Sequence, residues 1–560
     1  MISLFSYYIF YLLIIFSFIG YGILFEKYFK IYENPVENIF VYLFLGFGFL
    51  IIFSFFYNFF LLNIKILNLF FLLFGILPLV KEFNKLRKQI NITIIISSVF
   101  FIGLIISKSH EDFFSYHYQY VAELSENIIK IGLTNLDQKY AYSSIFSYLQ
   151  SIFNLPYVNL KTIHVPIFVM FIAIVGYLFI EIVNKKSLNK NILIFILLFL
   201  ILKYKRLSEF GYDYITNFFI LFIFLEFLYK KKIFQNKAII FFSSIAILIK
   251  VTSIFFFPLF FLLLRKKNLI KIKKNIRQNF IFKNLILIVP ILILVLNSFI
   301  SNGCLFYGLK LSCFSKEKIS WSSDYSKINY EKKLAEKWAK GYFHTKEKID
   351  YSEKNLYKNK NWIPNWIDIH FKTRILKFLL ISLTISIFLK WFVFYNKSKN
   401  ESIFEAFLIS VSVLIWFFSI PQLRFGSTFI LLLSFYLFSY FLKFGNNFKM
   451  KNFMVIFSLA IFYFNLSNVA RIKKEFERND LYKFQNFPFI AIPNYNFEKL
   501  TDKNGIIFHR YIIKNGEKIR SKDIIKKSYS ENKIFNLVRP GTNARFYKDN
   551  YILYIINDGE

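Results

Sequence analysis

Cysteine is almost missing from this chain, with only Cys304 and Cys313 in 560 residues. That excludes a disulfide-dense secreted scaffold and a zinc module built on four thiolates. Histidine is scarce too, at six residues, and glycine (18) and proline (11) are low for such a length. No GxxxxGK(S/T), GxGxxG, HExxH or CxxC occurs, so nucleotide hydrolysis and the common zinc sites have no support. Acidic side chains number 34 against 71 basic ones, a formal net charge of +37. A nucleic-acid partner would ordinarily be the first reading of that excess. Here Phe, Ile, Lys, Asn and Tyr are inflated together, as an AT-rich coding bias would do, and no nucleic-acid face is inferred. Only 12 of the basic residues are Arg. Where Lys is the default cation, an Arg near apolar sequence is the more informative one, because its planar fork suits phosphate and carboxylate.

What the chain has in abundance is apolar sequence: 56% hydrophobic and 22% aromatic. The runs have the length of transmembrane helices, and a soluble protein could not bury so many. The reading is an all-α polytopic membrane protein with about 12–14 transmembrane helices. Candidate spans are 3–25, 38–60, 64–80, 91–107, 162–183, 191–202, 214–229, 284–303, 374–396, 403–420, 427–442 and 453–468. The first has neither a basic n-region nor a small-residue cleavage site and reads as an uncleaved span.

Short lysine-rich connections at 81–90, 184–190, 230–237, 397–402 and 443–452 belong on the cytoplasmic side. Both 230–237 and 265–283 are basic, so an even number of crossings must separate them. A short hairpin satisfies this, with 238–249 rising, 251–264 descending and Lys250 at the tip. A single long tilted helix is the alternative. On the hairpin reading the outer face collects 108–161, 203–213, 304–373, 421–426 and the tail. The domain organisation is then a polytopic unit 1–468, carrying a first outer-face loop at 108–161 and a large one at 304–373, and an extramembrane module at 469–560. The first loop reads as amphipathic helices along the membrane surface, from Asp112 to Lys130 and from Ser143 to Leu155. The tail, with GIIFHRYII and YILYII beside turn residues, reads as small and α/β or β-containing, although the basic RIKKEFER at its start argues for the cytoplasmic side. Cys304 and Cys313 lie nine residues apart at the start of the large loop. A disulfide in an oxidising compartment and two free thiols fit the sequence equally.

The densest polar cluster of the first third is SHEDFFSYHYQY, Ser109 to Tyr120, directly behind an apolar run. Ionisable groups at such a boundary cost desolvation energy and seldom lack a role. Asp112 reads as a catalytic base with Glu111 in support, since a carboxylate partly withdrawn from water can deprotonate an acceptor hydroxyl. His110, Tyr116 and His117 would order it or touch substrate. A divalent ion at these histidines is the weaker alternative, because the spacing matches no standard ligand pattern; no cofactor is otherwise expected. Arg206, Glu209 and Asp213 form a second charged patch, KYKRLSEFGYD, between two spans. Lys250 interrupts an apolar run and must pair or face water. Arg424 stands in the tight turn PQLRFG, 421–426. Cations converging from separate helices suit a phosphate or pyrophosphate group. Each has a plainer reading: an interfacial belt, a solvated loop, snorkelling, or a turn anchor.

An acidic pair in the first outer loop, charged short outer loops and a large late outer loop resemble C-type glycosyltransferases. The chain is also similar to uncharacterised bacterial polytopic proteins with an H-x-D-x-x-x-Y-H-like first loop and a late P-x-x-R-F-G turn, here His110 to His117 and Pro421 to Gly426. The departures are several spans before the acidic loop where the enzymes usually have one, and Glu-Asp where Asp-Glu is commoner. The resemblance implies an enzyme of the bacterial inner membrane with its active face toward the periplasm. It would transfer a sugar from a polyprenyl-phosphate donor to a glycan or lipid acceptor, within the lipid bilayer. A flippase of lipid-linked saccharides, or an O-antigen polymerase or ligase, is the competing expectation.

Overall fold

The structure is a computed structural model. It describes the chain except at residues 1, 33–34, 62, 106–116, 127–130, 136–139, 142–143, 185–189, 205–210, 230–235, 265–284, 343–360, 396–402, 444–446, 479–496, 502–506, 512–543, 550–551 and 558–560. Helices dominate. Seven are long and apolar enough to cross a membrane, among the described residues. These include α1 (Ile2–Phe29), α2 (Ile39–Phe60), α5 (Phe83–Phe100) and α8 (Val165–Val183). Later come α14 (Ile363–Val393), α16 (Leu423–Leu442) and α17 (Met450–Arg478). Shorter apolar helices lie between them: α3 (Lys65–Phe74), α4 (Ile76–Lys81), α9 (Lys190–Lys203), α10 (Tyr212–Tyr229), α11 (Asn236–Ile249), α12 (Leu285–Asn302) and α15 (Ile403–Ser419). The chain is an all-α membrane-spanning protein.

Burial divides these helices into a centre and a rim. On α8 every residue from Val165 to Leu178 is buried, and on α9 every residue from Ile192 to Ile201. A helix apolar all round has no solvent face to offer and belongs in the middle. At the rim, α3, α12, α15 and α17 turn Phe70, Leu292, Phe407 and Leu459 outward. Those faces are as apolar as the core, which a surrounding hydrocarbon tolerates and water does not. Helices α1 and α2 approach closely because Gly22 and Gly46 lie at their crossing. A methyl on Gly46 would overlap the Phe18 carbonyl, and one on Gly22 the Tyr42 carbonyl.

Described residues that flank the lysine-rich connections meet at one end. Gln89 at the start of α5 accepts from the Ile39 N–H and donates to the Glu37 carbonyl. Asn38 donates to Glu181, and Lys190 lies 4.9 Å from the Phe448 ring. Two short strands, β1 (Phe394–Tyr395) and β2 (Asn447–Phe448), pair antiparallel there. The opposite end holds Tyr7 against His164, Asn58 against Ser151, and the Ser144 hydroxyl on the Ile249 carbonyl.

The stretch after α10 is a hairpin. Helix α11 starts beside Phe25 at the lysine end, where Phe241 packs on it at 5.0 Å, and finishes at Ile249 beside Ser144. The chain then turns at Lys250 and returns as a 3-10 helix, Val251–Leu264, whose Phe260 meets Phe227 near the foot of α10. At about 2.0 Å per residue this descending arm reaches roughly 28 Å, close to the thickness of a bilayer core.

Two elements depart from expectation. The first-loop helix α6 (Tyr118–Glu126) does not lie along a surface: Tyr120 to Ser125 are all buried, Glu123 included. Its partner α7 (Phe146–Ile152) is buried throughout, with Tyr148 between the Tyr120 hydroxyl and the Asn297 amide. Glu123 and Ser125 on α6 and Ser147, Gln150 and Ser151 on α7 are buried against protein, so a helical polar stripe misread as an interfacial one. In the tail, the described strands β3 (Phe497–Thr501) and β4 (Ile507–Tyr511) form one antiparallel pair, and β5 (Ala544–Asp549) and β6 (Ile552–Asn557) another. Strand β6 packs on the Leu133–Asn135 turn, which belongs to the end opposite the lysine loops.

Candidate functional site

At that opposite end, Asp213 stands in the first turn of α10, where a negative charge is favoured by the exposed N–H groups. Lys250 closes the last turn of α11, its N–H on the Ala246 carbonyl, where a positive charge is favoured for the converse reason. The two side chains form an ion pair, each 18% exposed. The lysine that interrupted an apolar run is therefore neutralised at the hairpin tip rather than snorkelling.

The Lys250 ammonium lies 4.1 Å from the centroid of Phe425 and 5.5 Å from that of Tyr212. The Arg424 guanidinium takes the same Phe425 ring at 4.7 Å and the Trp338 ring at 4.6 Å. Cation–π contacts help hold both cations in place. Tyr212 carries the chain of contacts on to His117, its hydroxyl 2.8 Å from Nδ1. His117, Asp213, Lys250 and Arg424 thus converge from four separated stretches of sequence. His110, Glu111, Asp112, Tyr116, Arg206 and Glu209 lie outside the described residues.

The turn that presents Arg424 is fixed from beneath. Trp366 donates to the Pro421 carbonyl at 2.6 Å and Trp416 to the Gln422 carbonyl at 2.8 Å. Gly426 lies flat against the Trp416 indole, so a side chain there would collide. The Arg424 carbonyl accepts from Asn217, whose own carbonyl oxygen accepts from Thr428 at 2.9 Å. The Gln422 side chain is buried, and among the described residues neither its amide oxygen nor its nitrogen has a hydrogen-bond partner. Arg424 occupies the first turn of α16, the end where a helix disfavours a cation.

Trp338 arrives from α13 (Tyr325–Ala339), a polar helix of the large loop. Asp324 caps it, accepting from the Ser326 N–H at 2.9 Å, and that hydrogen bond holds the Asp324 carboxyl below the usual range. Sequence reasoning missed Tyr212, Phe425 and Gln422 as members of the site. The available signal was their position beside Asp213 and Arg424. Among the described residues, no three His, Cys, Asp or Glu side chains gather as a metal site.

One further acid was not anticipated. Glu226, near the far end of the same α10, is fully buried and accepts from the hydroxyls of Tyr32 at 3.3 Å and Tyr177 at 3.0 Å. A buried carboxyl group therefore lies toward the other end of the bundle as well.

The sequence matches the family described as Domain of unknown function (DUF8201) over residues 1–431. The chain belongs to this family. No curated protein and no solved structure matches it. The family's span contains His117, Asp213, Lys250 and Arg424, and it ends inside α16. Helix α17 and the tail strands lie beyond it.

Proposed function

We propose that this protein is a membrane glycosyltransferase resembling the C-type enzymes. It transfers a sugar from a polyprenyl-phosphate-linked donor at the outer face of a bacterial inner membrane. The observation carrying this reading is the pair of cations, Lys250 and Arg424, brought from two elements onto one Phe425 ring beside Asp213. Two such donors suit a phosphate or diphosphate headgroup, and the surrounding bilayer suits its polyprenyl tail. Arg206 would add a third phosphate contact. Asp112, five residues before His117, takes the proton of the acceptor hydroxyl, with Glu111 in support. The acceptor oxygen bonds to the anomeric carbon as the bond from that carbon to the phosphate oxygen breaks. The polyprenyl phosphate leaves with the electron pair, and the cations hold its charge. Tyr116, His110 and Glu209 would line the acceptor side. Among the described residues, seven long helices and seven shorter spans, with α3 and α4 taken as one and Val251–Leu264 included, fit the lysine-rich connections lying in the cytoplasm and the site end lying outside.

A flippase of lipid-linked saccharides is the second reading, favoured by buried Glu226 on the same helix as Asp213. Detergent separates the two, because nothing can be transported across a micelle. Purified protein given a polyprenyl-phosphate sugar pool and acceptor should consume donor. Asp112→Asn should lower that turnover by about 10²- to 10⁴-fold while accumulating normally in membranes. Wild-type protein without Asp112-dependent turnover would hand the assignment to the flippase.

A further inference from the structure

Helix α12 ends at Asn302, and the chain then makes a small closed loop that buries little of its own apolar surface. Cys304 and Cys313 are joined by a disulfide. The Leu305 N–H donates to the Ser312 carbonyl at 2.9 Å, and the Phe314 N–H to the Gly303 carbonyl at 3.1 Å. The Ser312 hydroxyl ties Phe306 from the inside at 2.7 Å. Gly303 makes the entry with a φ of +73°, a conformation that favours glycine. A loop braced in this way holds its shape without a hydrophobic core.

What it holds out is apolar. Leu305, Phe306, Leu309 and Phe314 are between 37% and 58% exposed, and Leu311 is fully exposed. Lys310, Lys316 and Lys318 stand exposed around them. The lipid-facing stripe of α12, formed by Ile288, Ile291, Leu292 and Leu296, leads one turn later to Phe299. The Phe299 ring packs on Phe314 at 5.8 Å and on Trp321 at 5.7 Å, and the Trp321 indole donates to the Phe299 carbonyl. The apolar face that meets hydrocarbon along α12 therefore runs on without a break into the loop. Apolar tip, aromatic collar and lysine rim form the profile of a segment seated at the headgroup boundary.

We propose that the disulfide-closed loop 304–314 is a lipid contact that inserts Leu309 and Leu311 into the outer leaflet and sets Lys310, Lys316 and Lys318 against anionic headgroups. The continuity with the α12 stripe favours lipid over a protein partner, because a partner would have to cover hydrocarbon-facing helix as well.

A photoreactive benzophenone amino acid at position 311 tests this in purified full-length protein. The protein would be reconstituted in vesicles of phosphatidylethanolamine and phosphatidylglycerol. The same probe at Tyr330, 65% exposed on polar α13, is the comparison. After irradiation, mass spectrometry should find phospholipid adducts at 311 several-fold above those at 330, and fewer at 311 in Lys310→Glu/Lys316→Glu protein. Both probe proteins must elute from size exclusion as the parent does; a probe at Leu309 replaces 311 should the first fail that check. Equal lipid capture at 311 and 330 overturns the proposal. A protein–protein crosslink as the dominant product at 311 also overturns it, in favour of a second copy of the chain.

Discussion

Severing the Lys250–Asp213 pair should reveal whether the hairpin tip is held by charge. Each side chain is 18% exposed, so the pair is largely but not wholly withdrawn from water. Removing one partner of a fully buried pair costs about 3–5 kcal/mol, because the survivor keeps its desolvation penalty. With this residual exposure, roughly 2–3 kcal/mol is the expected loss for each single variant, discounted for screening. The two losses should not be equal. In Lys250→Met the orphaned Asp213 still sits on the α10 N-terminus, worth about 0.3–1 kcal/mol. In Asp213→Asn the orphaned ammonium keeps the Phe425 and Tyr212 faces, worth about 0.5–2 kcal/mol. The double variant removes both charges, and it should recover to within about 1 kcal/mol of the parent. Equilibrium unfolding in mixed micelles, with the four proteins as a cycle, measures the coupling. Donor turnover is read in parallel, and the stable double variant should remain inactive for want of the cation. Additive single losses would refute the ion pair. A double variant with restored turnover would refute the role of Lys250 in phosphate binding and leave the pair as a fastener.

Gly46→Ala should cost about 1–3 kcal/mol, because its methyl would meet the Phe18 backbone and force α1 and α2 apart; thermal unfolding of the purified variant measures it. Asp324→Ala should loosen α13 by about 1 kcal/mol through loss of its cap. The depressed Asp324 carboxyl contributes its stability above its unfolded value, and that contribution should fade as pH falls through the acidic range; the Arg424-facing Trp338 fluorescence would report both. Under non-reducing conditions neither Cys304 nor Cys313 should accept a maleimide, and both should after reduction; quantitative labelling of unreduced protein would count against the bridge.

The spans were legible in run length, and the hairpin followed from the signs of the loops at 230–237 and 265–283. Lys250 and Arg424 were legible because each is the wrong residue for its surroundings, a cation in apolar sequence and an Arg where Lys is usual. The aromatic contacts that unite them were not. Tyr212 and Phe425 are two among 37 Tyr and 78 Phe, and composition hides them. The first-loop helices failed for another reason. Periodicity reveals that α6 has a polar side, but not whether a residue there, such as Glu123, meets water or is buried in protein. Glu226 escaped notice because a lone acid in YITNFFILFIFLEFLY carries no spacing, and only the approach of Tyr32 and Tyr177 gives it meaning.

The winding of Val251–Leu264 has a mechanical consequence. Fourteen residues in a 3-10 helix span roughly 28 Å, and the same residues as an α-helix would span roughly 21 Å. Length here is a function of winding, not of residue count. Lys250 itself is held by α11, whose last turn it closes, so the winding of the returning arm decides where that arm ends. Rewound as an α-helix, the same arm would stop about 7 Å short of its present reach. The tight winding lets fourteen residues return about as far as a bilayer core is thick.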